Sequence, residues 1–375
     1  MLHKLNKGEG LSDFWFTECI YLEKKTKIIF FKKKTMKNTK VSSVGERALI
    51  SILSEIFKAP DGREKGQEGI LIGAGSDDCA VLDLKGEDCL VVTTDMLHKT
   101  TDFPEEMTPW QMGWMSAAVN LSDIAAMGAE PTGLVMAIGM PADTKIAFVE
   151  ALAKGMQACA EFCGTTIIGG DLDTHEELTI TGTALGRVKK SQLLLRRGAR
   201  PGDLVCVTGY TGSAGAALEA LQSRKPVSKT VLNALFEPAP RTKEARKLAE
   251  SGAVTSMMDT SDGLAMSLYD LSRQSRVGFM IRENALPILR EVRAFASNQE
   301  KLREFAFTRV ETSNFLLQLI HKRSKKVQNI CNLIVIGECT KYEAGIVLES
   351  PECKFITIEQ RGYQQLKAKA VDRST

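Results

Sequence analysis

Residues 119–131 read VNLSDIAAMGAEP, and the fold turns on how this stretch is taken. The neighbours on both sides, WQMGWMSAAV and AAMGA, are small and apolar and suit a helix. Asn120, Ser122 and Asp123 interrupt them, and such residues weaken helix interiors and prefer caps. A carboxylate among packed alanines is costly unless something pairs with it. Either the helix ends here and Ser122 or Asp123 caps a second one, or a single helix runs through and Asp123 faces a site.

Outward from that stretch, strand and helix signals alternate. From Ser43, SVGERALISILSEIF has helical spacing and stops at the turn APDG. ILIGAGSDDCAVLDL reads as strand, glycine turn and strand, and DCLVVTTDML as a further strand. TPWQMGWMSAAVNLSDIAAMGA is expected to be helical, GLVMAIGMP a buried strand, and DTKIAFVEALAKGMQACAEFCG an amphipathic helix ending at Gly164. TTIIGGDLD and ELTITGTALGRV follow as strands. RRGARPGDLVCVTG then opens a second unit of similar style, with helices at SAGAALEALQ, RTKEARKLAESG and LAMSLYDLSRQSR, a strand at AVTSMMD, and a strand-rich end. The pattern predicts an α+β fold in two domains, residues 43–187 and 188–375, after a basic extension over 1–42.

Composition narrows the class. A hydrophobic fraction of 43% with 25% charged residues is that of an ordinary globular protein. No apolar run reaches the roughly 18–20 residues that span a bilayer, and no signal peptide is recognisable, so a cytoplasmic protein without a membrane partner is expected. The nine cysteines form no CxxC pair and read as reduced, buried thiols. Residues 1–40 hold ten lysines against four acids, so the net charge of +3 belongs to this leader, read as a solvated tail and not a nucleic-acid contact. Met36 is a candidate internal start.

Acidic residues recur in one local setting. Asp77 and Asp78 lie in GSDDCAV, Asp95 in VVTTD, Asp123 in NLSD, Asp171 in IIGGD, and Asp259 and Asp262 in MMDTSDG. Each lies at a strand end, a glycine turn or a small-residue kink, where backbone can approach a ligand closely. Hydroxyls accompany them at Ser76, Thr93, Thr94, Ser122 and Ser261. All-oxygen donors suit a hard cation, and Mg²⁺ is the usual one with phosphates. Arg196 and Arg197 precede the turn GARPGD and offer a phosphate clamp. VCVTGYTGSAGAALEAL imitates a phosphate loop but lacks the GK[ST] that one needs, and reads as a turn opening a helix. With only four histidines, no imidazole-based nucleophile is supported. Phosphoryl transfer to an already anionic acceptor needs none, because a phosphate monoester with a second pKa near ~6 is largely deprotonated at neutral pH.

Taken together, GERALI, GAGSDDCAVL, VVTTDML, VNLSDIAAMGAEP, IIGGD, RRGARPGDLVCVTG, EPAPR and DTSDGL resemble the thiamine-monophosphate kinase family, within the superfamily of aminoimidazole ribonucleotide synthetase. The resemblance runs from about Val44 to Tyr363. It implies transfer of the γ-phosphoryl group of ATP to thiamine monophosphate with Mg²⁺, in a homodimer that pairs through its N-terminal domains. It places metal ligands at Asp78, Thr93, Thr94, Asp95, Asp123, Asp171, Asp259 and Asp262, with Asp95, Asp123 and Asp262 as the catalytic core. Nucleotide contacts fall on Gly170, Arg196 and Ser261, and substrate contacts on Asp102, Ser313 and Tyr363. On this reading Asp123 faces a metal–phosphate cluster instead of capping a helix.

One segment departs from the pattern. Family members carry a GGED-type acidic pair before the last strands, whereas RVETSNFLLQL has Ser313 and Asn314 there. Asn314 can hydrogen-bond but brings no charge, so weakened substrate binding or turnover is expected. The alternatives are a sister ATP-using synthetase of the superfamily and a catalytically weak nucleotide-binding regulator.

Overall fold

The computed structural model describes residues 40–41, 46–57, 69–308, 314–321, 327 and 333–362. Residues 51–364 form one compact unit that contains both sheets. Of the smaller unit, 1–50 with 365–375, the described part is Lys40, Val41 and the start of helix α1 (Glu46–Phe57).

The first sheet is built from β1 (Ile70–Ile72), β2 (Ala80–Asp83), β3 (Asp88–His98), β4 (Glu130–Met140), β5 (Ile167–Thr174) and β6 (Thr179–Lys189). Their order is β1-β2-β3-β6-β4-β5, antiparallel except for the β4–β5 pair. The short helix α2 (Lys99–Asp102) continues from β3. Helices α3 (Pro109–Ala126) and α4 (Ile146–Phe162) belong to the same hydrophobic core as one face of this sheet.

The VNLSD stretch does not break its helix. Thr108 starts α3 with a capping box to Gln111, Pro109 sits in the first turn, and Gly128 at φ +70° follows the end. The interior polar groups use the helix's own carbonyls: Ser116 Oγ donates to Met112 O at 2.7 Å and Asn120 Nδ2 to Ser116 O at 3.0 Å. The helix is buried along most of its circumference, as expected of one enclosed by protein. Its small residues let α4 come to backbone contact. A Cβ on Gly113 would stand 1.9 Å from Leu152 O, and one on Gly155 would stand 1.8 Å from Trp110 O.

The second sheet has the order β13-β12-β9-β11-β7-β10-β8. Its strands are β7 (Leu204–Thr208), β8 (Val254–Asp259), β9 (Val277–Arg282), β10 (Phe315–Leu319), β11 (Leu333–Lys341), β12 (Ile346–Glu349) and β13 (Phe355–Thr357). The helices in this half are α5 (Ser213–Ser223), α6 (Lys229–Phe236), α7 (Thr242–Ser251), α8 (Leu264–Ser275), α9 (Arg290–Phe295) and α10 (Gln299–Thr308). Strand alternation divides the burial. Val205, Val207 and Leu316 pack with Leu264, Leu268 and Leu271 of α8. Cys206, Met257 and Leu317 pack with Leu248 of α7 and with Ala125 and Ala126 of α3. The end of α3 is thereby tied to the second sheet.

The expectation of a buried strand at GLVMAIGMP holds on one face only. Val135 is exposed, and with Met96 of β3 it belongs to a sheet face turned away from the helices. Helix α6, strand β9 and helices α9 and α10 go beyond the elements expected from the sequence and complete the second half.

Candidate active site

Four pieces of chain converge where the first sheet meets the second. The glycine turn before β2 carries Asp77 and Asp78, β3 carries Thr93 and Asp95, α3 carries Asp123, and β8 ends at Asp259. Asp78, Asp123 and Asp259 each offer an oxygen within 4.8 Å of the others. Thr93 Oγ1 donates to Asp123 Oδ2 at 2.7 Å. Asp123 is therefore tolerated within the last turn of α3 because its side chain leaves the alanine surface for this cluster.

Arg196, in the connection between the two sheets, is held from both sides. Its backbone N–H donates to Asp77 Oδ2 at 3.1 Å, its guanidinium donates to Asp78 Oδ1, and Ser275 Oγ donates to its carbonyl at 3.0 Å. One cation answers several carboxylates, and the carboxylates show the imbalance. Burial first, and then Asp95, Asp259 and Asp78, push the Asp123 carboxyl well above the ordinary range. Asp259 is pushed up to about 8 by burial and Asp78, with Arg196 opposing. Asp95 is pushed up to about 6 by burial and by Asp262. Asp77 is also pushed up to about 6, by burial and Asp78.

Asp78 Oδ2 is buried without a hydrogen-bond partner. An orphaned carboxylate oxygen, two further carboxylates within reach and an all-oxygen donor set fit a hard divalent cation. Mutual repulsion of this size is what such a cation relieves.

Other positions singled out in the sequence fall elsewhere. Thr94 points to the opposite sheet face, where its hydroxyl donates to Gly182 O at 2.8 Å and accepts from Thr183 Oγ1 at 3.2 Å. Any contact of Thr94 with the cluster of its own chain would run through its backbone. Asp171 is exposed on edge strand β5, in the row of Ala137 and Thr181, and is not brought to the three carboxylates. Gly170 packs so tightly on β4 that a Cβ would stand 2.0 Å from Met136 O. Ser261 is exposed and Asp262 half-buried in the turn after β8. The Asp102 carboxylate closes α2, accepting from the backbone N–H of His98 at 2.8 Å and from Thr101 Oγ1 at 2.7 Å. Ser313 and Tyr363 lie outside the described residues, as does most of the 1–42 extension.

Two supporting residues were absent from the expected set. Asn120 is fully buried, and its Oδ1 accepts the Asp95 backbone N–H at 3.1 Å. Asp77, singled out with Asp78 among the acidic residues but not among the ligands that the resemblance implies, anchors Arg196. The helical spacing of Asn120 and Asp123, three residues apart on one face, was the available signal for the first.

Residues 76–188 match the model for the N-terminal domain of AIR synthase related proteins, and residues 200–348 match that for the C-terminal domain. A thiamine-monophosphate kinase of Methanospirillum hungatei is 46% identical over 213 residues, covering 57% of this chain and 70% of that protein. That of Archaeoglobus fulgidus is 34% identical, covering 64% and 76%. Among solved structures, AaThiL complexed with AMPPCP and TMP superposes with a TM-score of 0.75 at 24% identity, covering 88% of this chain and 99% of that one. That likeness confirms the two-domain α+β fold. On the sequence evidence, the chain belongs to the thiamine-monophosphate kinase family of AIR synthase-related proteins.

Proposed function

We propose that this chain is a thiamine-monophosphate kinase that transfers the γ-phosphoryl group of ATP to the phosphate of thiamine monophosphate, giving thiamine diphosphate and ADP. The observation that carries this reading is the meeting of Asp78, Asp123 and Asp259 beside Arg196, in a chain of this family. A terminal oxygen of the acceptor phosphate attacks the γ-phosphorus in line, and the bond from that phosphorus to the ADP oxygen breaks. The acceptor oxygen is already unprotonated at neutral pH, so no histidine base is needed. The obstacle is repulsion between anions.

Asp78, Asp123 and Asp259, with Asp95 and Asp262 adjoining, would hold Mg²⁺, which supplies charge neutralisation and orientation to the phosphates when bound. Thr93 fixes the Asp123 carboxylate, Asn120 fixes the backbone of Asp95, and Asp77 aims Arg196. We assign nucleotide contacts to Arg196, Ser261 and Gly170, and acceptor contacts to Asp102, Ser313 and Tyr363. The division into domains at 43–187 and 188–375 belongs to the same proposal.

We also infer a homodimer. The first sheet turns Leu82, Leu90, Val92, Met96, Val135 and Leu185 to the face away from α3 and α4, and Met96 and Val135 are exposed there. An apolar sheet face of this kind favours a cover. Thr94 and Asp171 share that face, so pairing through it would place both at the interface. No described helix is long and apolar enough to cross a membrane, and the seven described cysteines are unpaired, which fits a reducing compartment.

The test is product formation. Purified protein with ATP, Mg²⁺ and thiamine monophosphate is expected to give thiamine diphosphate by chromatography, with loss of product on adding EDTA. ATP turnover without thiamine diphosphate would contradict the reading.

A further inference from the structure

Asn314 stands where the family resemblance led to an expectation of weakened substrate binding, and its surroundings assign it other work. It is 8% exposed and lies at the head of β10, whose next residue pairs with Asp259. Its Oδ1 accepts from Arg241 Nε at 3.4 Å and Nη2 at 3.3 Å, and its Nδ2 donates to Tyr210 O at 2.9 Å. Its backbone carbonyl accepts from Thr260 N at 3.1 Å and Thr260 Oγ1 at 3.2 Å. Three loops therefore meet on one residue: the EPAPR segment through Arg241, the turn after β7 through Tyr210, and the turn after β8 that carries Asp259 to Asp262.

The geometry points to Asn314 as a positioning residue that, with Arg241, sets the Asp259–Asp262 turn for the transfer proposed above. An amide suits this place and a carboxylate does not, because one end must accept from a guanidinium while the other donates to a carbonyl. Gly209 leaves the room required. A Cβ there would lie 2.5 Å from both Arg241 Nη2 and Asn314 Oδ1, on a backbone at φ +80°. Arg241 also lies 3.7 Å from Glu244, which steadies the guanidinium from the helix side.

The inference rests on reading the aspartate cluster as the active site, but it is testable without turnover. In the full-length protein, hydrogen exchange over residues 259–263 is expected to quicken at least tenfold in Asn314→Ala and in Arg241→Ala, with Gly209→Ala giving the same pattern. The double variant Asn314→Ala/Arg241→Ala is expected to lie within twofold of the faster single variant, because both remove one connection. Arg241→Ala, which is only partly buried, keeps the test open should Asn314→Ala fold poorly. In the kinase assay, Arg241→Ala is expected to lower kcat about tenfold and leave KM for the acceptor within twofold. Unchanged exchange in the turn, or a raised acceptor KM with unchanged kcat, would overturn the inference and return position 314 to substrate contact. Quickened exchange in a protein that makes no thiamine diphosphate would leave the connection standing and remove the kinase reading alone.

Discussion

The side-chain oxygen of Asn120 accepts the backbone N–H of Asp95 across 3.1 Å, joining helix α3 to strand β3 one turn before Asp123 reaches the carboxylate cluster. Asn120 has no spare room: a Cβ on Gly182 would stand 2.3 Å from its Nδ2. Gly182→Ala is therefore expected to displace Asn120 and with it Asp95. A buried, unsatisfied amide costs about 1–3 kcal/mol. Thermal denaturation should show that loss, and turnover should fall at least tenfold. Wild-type stability and rate in Gly182→Ala would show that the contact carries no weight.

Removing one carboxylate should separate stability from activity. Asp123→Asn keeps an acceptor for the Thr93 hydroxyl but deletes a charge that Asp95, Asp259 and Asp78 oppose. Without divalent metal, the variant is expected to melt at a higher temperature than the parent, while its kinase activity falls at least a hundredfold, about 2.7 kcal/mol of transition-state stabilisation. A lower melting point in EDTA would contradict the repulsion.

The pH dependence follows with its sign. Asp95 and Asp259 have folded-state values of about 6 and about 8 against an ordinary 3.8, so between those limits the folded state binds more protons than the unfolded one. Stability of the metal-free protein is therefore greatest below about pH 4 as far as these groups are concerned, and is lost as pH rises through 6 and 8. Mg²⁺ competes with those protons. Its stabilising effect in a thermal melt should be larger at pH 8 than at pH 5.5; an equal shift at both would argue against the cluster as its site.

The crossing of α3 on α4 gives a purely structural expectation. Gly113 and Gly155 each face a carbonyl oxygen of the other helix at distances no methyl group tolerates. Gly155→Ala is expected to cost about 3 kcal/mol or more, read by denaturant unfolding, since the obstruction is backbone and cannot rotate away. A cost below 1 kcal/mol would mean that the helices part easily.

Much of this architecture is legible in the sequence because local signals agree with it. The strand–turn–strand of ILIGAGSDDCAVLDL, the glycine stop after α4 and the DTSDG turn each name their own conformation. Asp77, Asp78 and Asp259 were likewise recognisable from their setting at a turn and a strand end, whereas Asp95 and Asp123 lie inside β3 and α3. What escaped depends on register and distant pairing. Whether Thr94 and Asp171 face the cluster is decided by strand alternation and by which strands are neighbours, and neither is local. Asn314 read as a lost charge, because its partners Arg241 and Tyr210 lie 73 and 104 residues away. The helix through VNLSD looked breakable for a related reason: the groups that satisfy Asn120 and Asp123 belong partly to other elements.

The most direct test of the site is to measure metal binding and turnover on the same samples of the parent and Asp259→Asn. Mn²⁺, titrated by electron paramagnetic resonance in the presence of ATP, reports the cation, and chromatography reports thiamine diphosphate. We expect the variant to bind Mn²⁺ at least tenfold more weakly and to lose at least a hundredfold in rate. Parent-like Mn²⁺ affinity together with parent-like turnover would show that Asp78, Asp123 and Asp259 are not where the phosphates are handled.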